Sequence, residues 1–281
     1  MFAEEISVII FDRAGSYLHV EAINLLIKNN VTIVFCDEKH TPQALISSEF
    51  NHHRKFNMLR LQMDLLKKTK DRLWQKIIRS KIRNQLDVLK FYVEGFEKSV
   101  EVYEFEDYIK DVTEGDKLNR EALAARRYFT ILFGSNFRRE RTKETLANSK
   151  KDDIINSSIN YGYAVLRAII RKTLVSHGLE PALGVNHASI DNPFNLSDDI
   201  IEPYRPFIDA FIVMNVIPTN ENALTEEIRI NLVQNILMSK CIINENVYSI
   251  HDAINLTIES LIRCYTANSS SGILLPKIIE L

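Results

Sequence analysis

Two glutamates and a histidine, lying in three separate segments, are the residues whose types could support chemistry: Glu121, His187 and Glu202. Two carboxylates and one imidazole make an oxygen-rich donor set, which suits Mg²⁺ or Mn²⁺ better than a structural Zn²⁺. A metal held by them could polarise a phosphoryl oxygen and lower the pKa of a bound nucleophile. The residue types are therefore compatible with a metal centre, provided that the fold brings the three segments together.

Each of these residues also has an ordinary structural explanation. Glu121 falls in the first turn of a predicted helix, where the helix dipole favours a carboxylate. A single histidine after a loop is more often packed or hydrogen-bonded than a ligand. If Ser197 or Asp198 caps a helix, Asp199 and Glu202 share one face of its first turn and repel each other unless a cation or proton lies between them. Capping explains one of these carboxylates, and the surplus favours a metal.

Basic residues follow Glu121 closely along the chain. Residues 120–143 contain seven of them against two acidic residues. Such a run indicates either a solvated charged face or a phosphate-binding surface. The dominance of arginine favours the second interpretation, because its planar guanidinium binds phosphate oxygens in a bidentate manner.

The bulk composition narrows the class of protein. The 281 residues carry 35 basic and 37 acidic side chains, so net charge alone does not indicate a polyanion as partner. Cys36, Cys241 and Cys264 are widely spaced and form no CxxC pair, which argues against a disulfide framework or structural zinc site and favours a reducing cytoplasm. We expect no signal peptide, because Glu4 and Glu5 follow closely after Met1, and no membrane span, because no apolar run approaches roughly 18 residues.

The elements that must position these residues predict an α+β fold. Ile6–Phe11 and Val31–Cys36 are β-branched runs of strand length, separated by a helical pattern over Tyr17–Lys28. Two strands do not stabilise a sheet alone, so we expect residues 1–50 to form a small, incomplete β domain. Residues 51–281 are predicted to form a larger all-α domain. Its predicted helices cover 54–66, 71–93, 119–133, 152–176, 200–217, 224–238 and 251–266.

Several motifs in order along nearly the whole chain make the sequence resemble the CRISPR-associated adaptation integrases, the Cas-one family. The strongest are Asn119-Arg120-Glu121 with Ala124-Ala125-Arg126 and Tyr128-Phe129, Asn160-Tyr161-Gly162-Tyr163, Gly184 with His187, and Phe194-Asn195-Leu196 with Asp199 to Pro206. The supporting motifs are Phe35-Cys36-Asp37, Asn51-His52-His53, and Trp74-Gln75 with Lys81-Ile82 and Asn84-Gln85. The resemblance is greatest to the branch found beside the RNA-guided effector Cas-nine.

The resemblance implies that Glu121, His187 and Glu202 bind a divalent metal, Mg²⁺ or Mn²⁺, and that Asp199 is a further acid near the site. It implies a homodimer that clamps a small partner, Cas-two, and inserts short foreign DNA into a CRISPR array by attack of 3′-hydroxyls on phosphodiesters. The residues then expected to bind DNA phosphates are Arg126, Arg127, Arg138, Arg139, Arg141 and Arg205.

The same comparison predicts smaller roles for other residues. Asn186 and Arg205 flank the predicted ligands and are candidates to orient them. Tyr161, Tyr163 and Tyr204 are expected mainly to pack in the core, with base stacking as the minor alternative.

The start of the chain and the function of the protein each allow another interpretation. Members of this family usually begin with several more strands, so we expect the first few tens of residues to be missing here through a misplaced start or a truncated gene. A catalytically silent DNA-binding scaffold, in which the acids are helix caps, is one alternative function. The other is a metal-dependent nuclease that acts on branched DNA in repair.

Overall fold

A computed structural model of the chain describes residues 6, 8–12, 15–29, 31–37, 42–46, 55–140, 150–219 and 221–280. The N-terminal elements are β1 (Val8–Phe11), α1 (Val20–Lys28), β2 (Thr32–Cys36) and β3 (Pro42–Ile46). The next helices are α2 (Lys55–Met63), α3 (Lys67–Tyr92), α4 (Glu101–Asp111), α5 (Arg120–Phe133) and α6 (Lys150–Ser176). There follow α7 (Asn195–Ile200), α8 (Arg205–Asn215), α9 (Glu226–Met238), β4 (Lys240–Ile243), β5 (Asn246–Ser249), α10 (Ile250–Ala267) and β6 (Lys277–Ile278).

The N-terminal sheet has the strand order β1-β2-β3. Strands β1 and β2 are connected by α1 and pair in parallel, and β3 pairs antiparallel with β2. The two predicted strands are confirmed, whereas β3 was not predicted, because it begins at Pro42 and follows a polar segment. The ion pair between Asp12 Oδ2 and Arg229 Nε, 2.7 Å apart, joins this region to α9.

The central helix of the larger region is α3, which packs against α4, α5 and α8. Its apolar residues recur in three- and four-residue steps and are buried: Leu73, Ile77, Ile78, Ile82 and Leu89. The prediction of a small β region followed by a mostly helical one is confirmed. Within the described residues, no helix is both long enough and apolar enough to cross a bilayer.

A second sheet makes the larger region less purely helical than predicted. Strand β4 pairs antiparallel with both β5 and β6 and buries Cys241. The turn between β4 and β5 consists of Asn244 and Glu245, both at positive φ (47° and 69°), which is the backbone of a type I′ hairpin. The all-α prediction for residues 51–281 was therefore wrong, because Asn-Glu lacks the glycine that usually signals this turn. All three cysteines are free thiols.

Candidate metal centre

The side chains of Glu121 and Glu202 meet at the ammonium group of Lys81. Lys81 Nζ lies 2.5 Å from Glu121 Oε1 and 2.5 Å from Glu202 Oε2. The side chains of Lys81 and Glu202 are 6% and 7% exposed, and that of Glu121 is 30% exposed. Two of the three predicted ligands therefore converge on one positively charged group beneath the surface.

The electrostatics of this cluster keep Glu202 and Lys81 ionised. Burial opposes the ionisation of Glu202, but the charges of Arg205 and Lys81 lower the pKa of Glu202 to about 2. Burial likewise acts to lower the pKa of Lys81, and the charges of Glu202 and Glu121 outweigh it and raise that pKa. Arg205 Nε donates to Glu202 Oε1 at 3.0 Å, while Glu202 Oε2 lies close to Lys81 without hydrogen-bond alignment. Buried charges of this kind persist only when they are paired.

Helical register places Lys81 in this cluster. Lys81 follows Leu73 and Ile77 at intervals of four residues on α3, so its stem leaves the helix on the buried face. Lys81 was predicted only as part of a motif, without a role in the site. Counting its register against Leu73 and Ile77 would have indicated a buried charge that needs acidic partners.

The position of Glu121 depends on Asp116, which sequence reasoning also missed. The Asp116 carboxylate accepts hydrogen bonds from the backbone N–H groups of Arg120 (2.9 Å) and Glu121 (3.0 Å) at the start of α5. Asp116 therefore caps the helix, and the Glu121 carboxylate is left to bind Lys81. The helix-dipole explanation is compatible with the position of Glu121 but does not account for its partner.

The loop that ends at His187 is folded around the carboxylate of Asp199, which is fully buried. Asp199 Oδ2 accepts from the backbone N–H groups of Val185 (2.5 Å) and Asn186 (3.0 Å), and Oδ1 accepts from that of His187 (3.1 Å). A Cβ atom on Gly184 would lie 2.8 Å from Asp199 Oδ2 and would also collide with the His187 carbonyl, so only glycine fits there. Asn186 contacts Asp199 through its backbone.

Asp199 also holds the imidazole of His187, whose Nδ1 lies 2.7 Å from Asp199 Oδ1. This hydrogen bond raises the pKa of His187, burial opposes the rise, and the negative charges of Asp199 and Glu202 add to it. Burial raises the pKa of Asp199, and the hydrogen bond with His187 counteracts the rise. Since Nδ1 is engaged by a carboxylate, Nε2 is the ring nitrogen available to a metal, which is the usual support for a ligating histidine. The ring also meets the edge of Trp74, with centroids 5.6 Å apart.

The predicted helix that carries Asp199 and Glu202 differs from the observed one. Asp199 lies in α7, which begins at Asn195 after Phe194, and neither Ser197 nor Asp198 caps it. Glu202 begins a separate 3₁₀ turn with Pro203, which leads into α8. The two carboxylates therefore do not repel each other across one helix turn, because Asp199 faces His187 and Glu202 faces Lys81.

The residues fit a divalent cation in type and partly in position. Across the described ranges, no three His, Cys, Asp or Glu side chains are grouped closely enough to enclose a metal ion as they stand. Glu121 and Glu202 nevertheless converge on a cation, and the charge of His187 acts on Glu202. The carboxylate and imidazole donors are of the types that bind a hard divalent cation, and Glu121, Glu202 and His187 are the residues that would hold it.

The arginines predicted to bind phosphate fall into two groups. Arg126 and Arg138 are exposed and free to contact a ligand in solution. Arg141 lies outside the described residues, as do Asn51, His52 and His53 of the family motif.

The other three arginines have partners within the protein. Arg127 pairs with Glu101 and Glu104, each at 3.1 Å. Arg139 donates to Asn156 Oδ1 (3.1 Å) and Asn160 Oδ1 (2.7 Å). Arg205 Nε donates to Glu202 Oε1, and its guanidinium lies 4.5 Å from the centre of the Tyr163 ring.

The three tyrosines pack in the core, as expected. Tyr161, Tyr163 and Tyr204 are all buried. The Tyr163 hydroxyl donates to Asp209 Oδ1 at 2.7 Å, and the Tyr204 hydroxyl is 2.7 Å from Thr257 Oγ1. The hydroxyl groups of Tyr163 and Tyr204 are satisfied internally, and the burial of all three rings leaves base stacking without structural support.

The fold, a small N-terminal sheet followed by helices around a buried acidic site, is that of CRISPR-associated and casposase-type proteins. The match to a solved casposase bound to integration product covers 94% of this chain and 80% of the casposase chain, with a TM-score of 0.75 and 22% identity. A chain of a Cas6-RT-Cas1–Cas2 complex matches 97% of this chain and 32% of its own, with a TM-score of 0.71 and 17% identity.

The chain belongs to the Cas1 family, which confirms the resemblance drawn from its motifs. The family model described as CRISPR associated protein Cas1 matches residues 3–241. The CRISPR-associated endonuclease Cas1 of Neisseria meningitidis serogroup C (strain 8013) is 35% identical over 210 residues, covering 75% of this chain and 64% of that protein. The chain spans less than two thirds of the length of the curated relatives that head this comparison.

Proposed function

We propose that this protein is a metal-dependent DNA endonuclease and integrase of CRISPR adaptation, which inserts short foreign DNA into a CRISPR array. The observation that carries the proposal is the convergence of Glu121 and Glu202 on a buried cation, with His187, held by Asp199, close enough for its charge to act on Glu202. Membership of the Cas1 family supports it, since the relative from Neisseria meningitidis is named as an endonuclease.

Glu121, Glu202 and His187 would hold the metal, Mg²⁺ or Mn²⁺. When bound, it would supply positive charge to a phosphodiester and to the attacking 3′-hydroxyl. Asp199 fixes the ring of His187, and Arg205 fixes the carboxylate of Glu202, so catalysis depends on positioning and electrostatics more than on covalent chemistry. Lys81 holds the two glutamate carboxylates close together in the metal-free protein.

The partners and organisation proposed for the protein follow from the same assignment. The DNA substrates are the incoming spacer and the repeat, and exposed Arg126 and Arg138 would contact their phosphates. A homodimer would assemble with the small partner Cas2 (Cas-two) in the cytoplasm. Residues 1–50 would form the N-terminal domain and 51–281 the catalytic one, since the apolar cluster of Leu26, Val31 and Ile33 is separate from the large core. The Neisseria relative supports a place near the Cas-nine branch.

The proposal is tested by strand transfer of a labelled short duplex into a repeat-containing plasmid, with Mn²⁺ and the small partner present. We expect wild-type protein to transfer DNA and His187→Ala to lose at least about 100-fold of the rate, because a ligand is removed. The matched control is His251→Ala, since His251 is 38% exposed against 43% for His187 and also has an aspartate neighbour. Equal transfer by wild type and His187→Ala would contradict the proposed site. DNA binding without any transfer would favour the scaffold.

A further inference from the structure

A positively charged groove lies on another side of α3 from the cluster of Lys81, Glu121, Glu202 and Arg205, which we call the Lys81 cluster. It is an open groove of about 550 Å³ between α3, the end of α4 and the segment Leu275–Lys277. None of its lining residues is acidic. Four of them are cationic: Arg79, Arg83, Lys110 and Lys277. We refer to this feature as the α3 groove.

The cations of the α3 groove differ in how far they are engaged. Arg83 and Lys277 are exposed on its rim. Arg79 is tied down, because its guanidinium donates to the carbonyls of Lys110 (3.1 Å) and Val112 (3.0 Å), although its Nε has no partner. Its positive charge is not neutralised by these carbonyls, so it adds to the field of the groove.

Acidic side chains near the α3 groove do not cancel this charge. Asp107 pairs with Lys110 at 3.5 Å, but both side chains are about 70% exposed, so that pair is weak. Asp87 lies near the rim; burial raises the pKa of Asp87, and the charges of Lys277 and Arg83 oppose that rise. The local balance remains positive, as expected of a surface that binds phosphate.

The floor of the α3 groove is connected to the metal centre through a single side chain. Asn84 Nδ2 donates to the carbonyl of Pro203 (2.8 Å), which follows Glu202 directly, and to that of Pro276 (3.0 Å) in the groove wall. Asn84 Oδ1 accepts from the backbone N–H of Ile278 at 3.1 Å. The groove is therefore held at a constant position relative to the acidic site.

We propose that the α3 groove is a second DNA-binding site, which holds phosphodiester groups of a strand away from the metal. The inference rests on the proposed function for its choice of DNA as the source of phosphate. Charge, lack of acidic lining residues and rigid attachment to the site carry it. Phosphate contacts of this kind position DNA without reading its sequence.

Neutralising the rim is the direct test. We expect Arg83→Gln/Lys277→Gln to bind a short DNA duplex on the order of ten-fold more weakly than wild type at about 0.1 M salt. The slope of log affinity against log salt should fall by about 1.8, since each lost phosphate contact contributes about 0.9. Fluorescence anisotropy in EDTA measures both quantities without involving the metal centre.

The matched control is Lys98→Gln/Arg263→Gln, which removes the same charge from exposed positions outside the groove. It should retain the affinity and slope of wild type, and thermal melting should confirm that both variants are folded. Equal DNA binding by wild type, the rim variant and the control variant would overturn the proposal. Wild-type protein that binds DNA but transfers no strand would count against the proposed function alone. Saturable pyrophosphate binding to wild type, with DNA binding unchanged in the rim variant, would identify a small-anion pocket and also overturn it.

Discussion

The Lys81 cluster and the α3 groove both border α3, but they hold positive charge in opposite ways. Lys81 is buried and lies 2.5 Å from each of two carboxylates, whereas Arg83 and Lys277 are exposed on a rim without acidic lining residues. A buried charge must be paired to be tolerated, while an exposed one costs little when unpaired. Substitutions in the cluster should therefore affect stability and metal binding, and those in the groove only the affinity for a polyanion.

The largest effect is expected from Lys81→Met. Removing the ammonium leaves two carboxylates facing each other, one of them buried, and breaking a buried pair in this way costs about 3–5 kcal/mol. Urea unfolding in EDTA measures the loss. Mn²⁺ should restore part of it, because a ligand that binds the folded state stabilises it.

Lys68→Met on the same helix is the control, since Lys68 is exposed and should change stability by less than about 0.5 kcal/mol. Equal stability of Lys81→Met and wild type would break the contrast between the two regions. It would mean that the carboxylates are already separated or protonated in solution.

An intermediate effect is expected from Asp199→Asn. The amide cannot accept all the hydrogen bonds that the carboxylate takes from the loop and from His187, so the protein should lose about 1–3 kcal/mol of stability. Loss of the support for His187 should weaken Mn²⁺ binding about 10- to 100-fold. Calorimetric titration with Mn²⁺ checks the second effect, and an unchanged affinity would show that Asp199 only shapes the loop.

The smallest effect is the pH dependence that His187 imparts to the metal-free protein. The folded protein raises the pKa of His187 through Asp199, so this stabilisation is complete below the unfolded value of about 6.5 and is lost as pH rises through the folded value. Because His187 is 43% exposed, we expect less than about 1 kcal/mol. Urea unfolding of wild type and His187→Gln should differ more at about pH 6 than at about pH 8. A pH trend that persists in the Asp199→Asn background would assign it to another group.

Sequence patterns predicted the helices and strands better than they predicted which side chains come together in the fold. Helix α5 was predicted at its observed position, because Asn119 and Gly134 mark its ends. The hairpin of β4 and β5 was missed, since four-residue strands and a turn without glycine give little signal. Helix α4 was missed as well, although Val102, Phe105 and Ile109 recur at helical spacing.

The candidate ligands were identified by residue type, but their meeting point was not. Glu121 and Glu202 come together only because α3 presents Lys81 between them, and this depends on helix packing. Asp199 was assigned a place near the site, yet its hold on three successive backbone N–H groups follows from the loop conformation. Local patterns do not encode such tertiary contacts.

We propose that Glu121, Glu202 and His187 hold one divalent metal, and calorimetric titration with Mn²⁺ measures that binding. Wild type and His251→Ala should each bind one Mn²⁺ per chain, and Glu202→Gln and His187→Ala should lose that binding. Unchanged Mn²⁺ binding in both Glu202→Gln and His187→Ala would contradict the assignment of these residues as metal ligands.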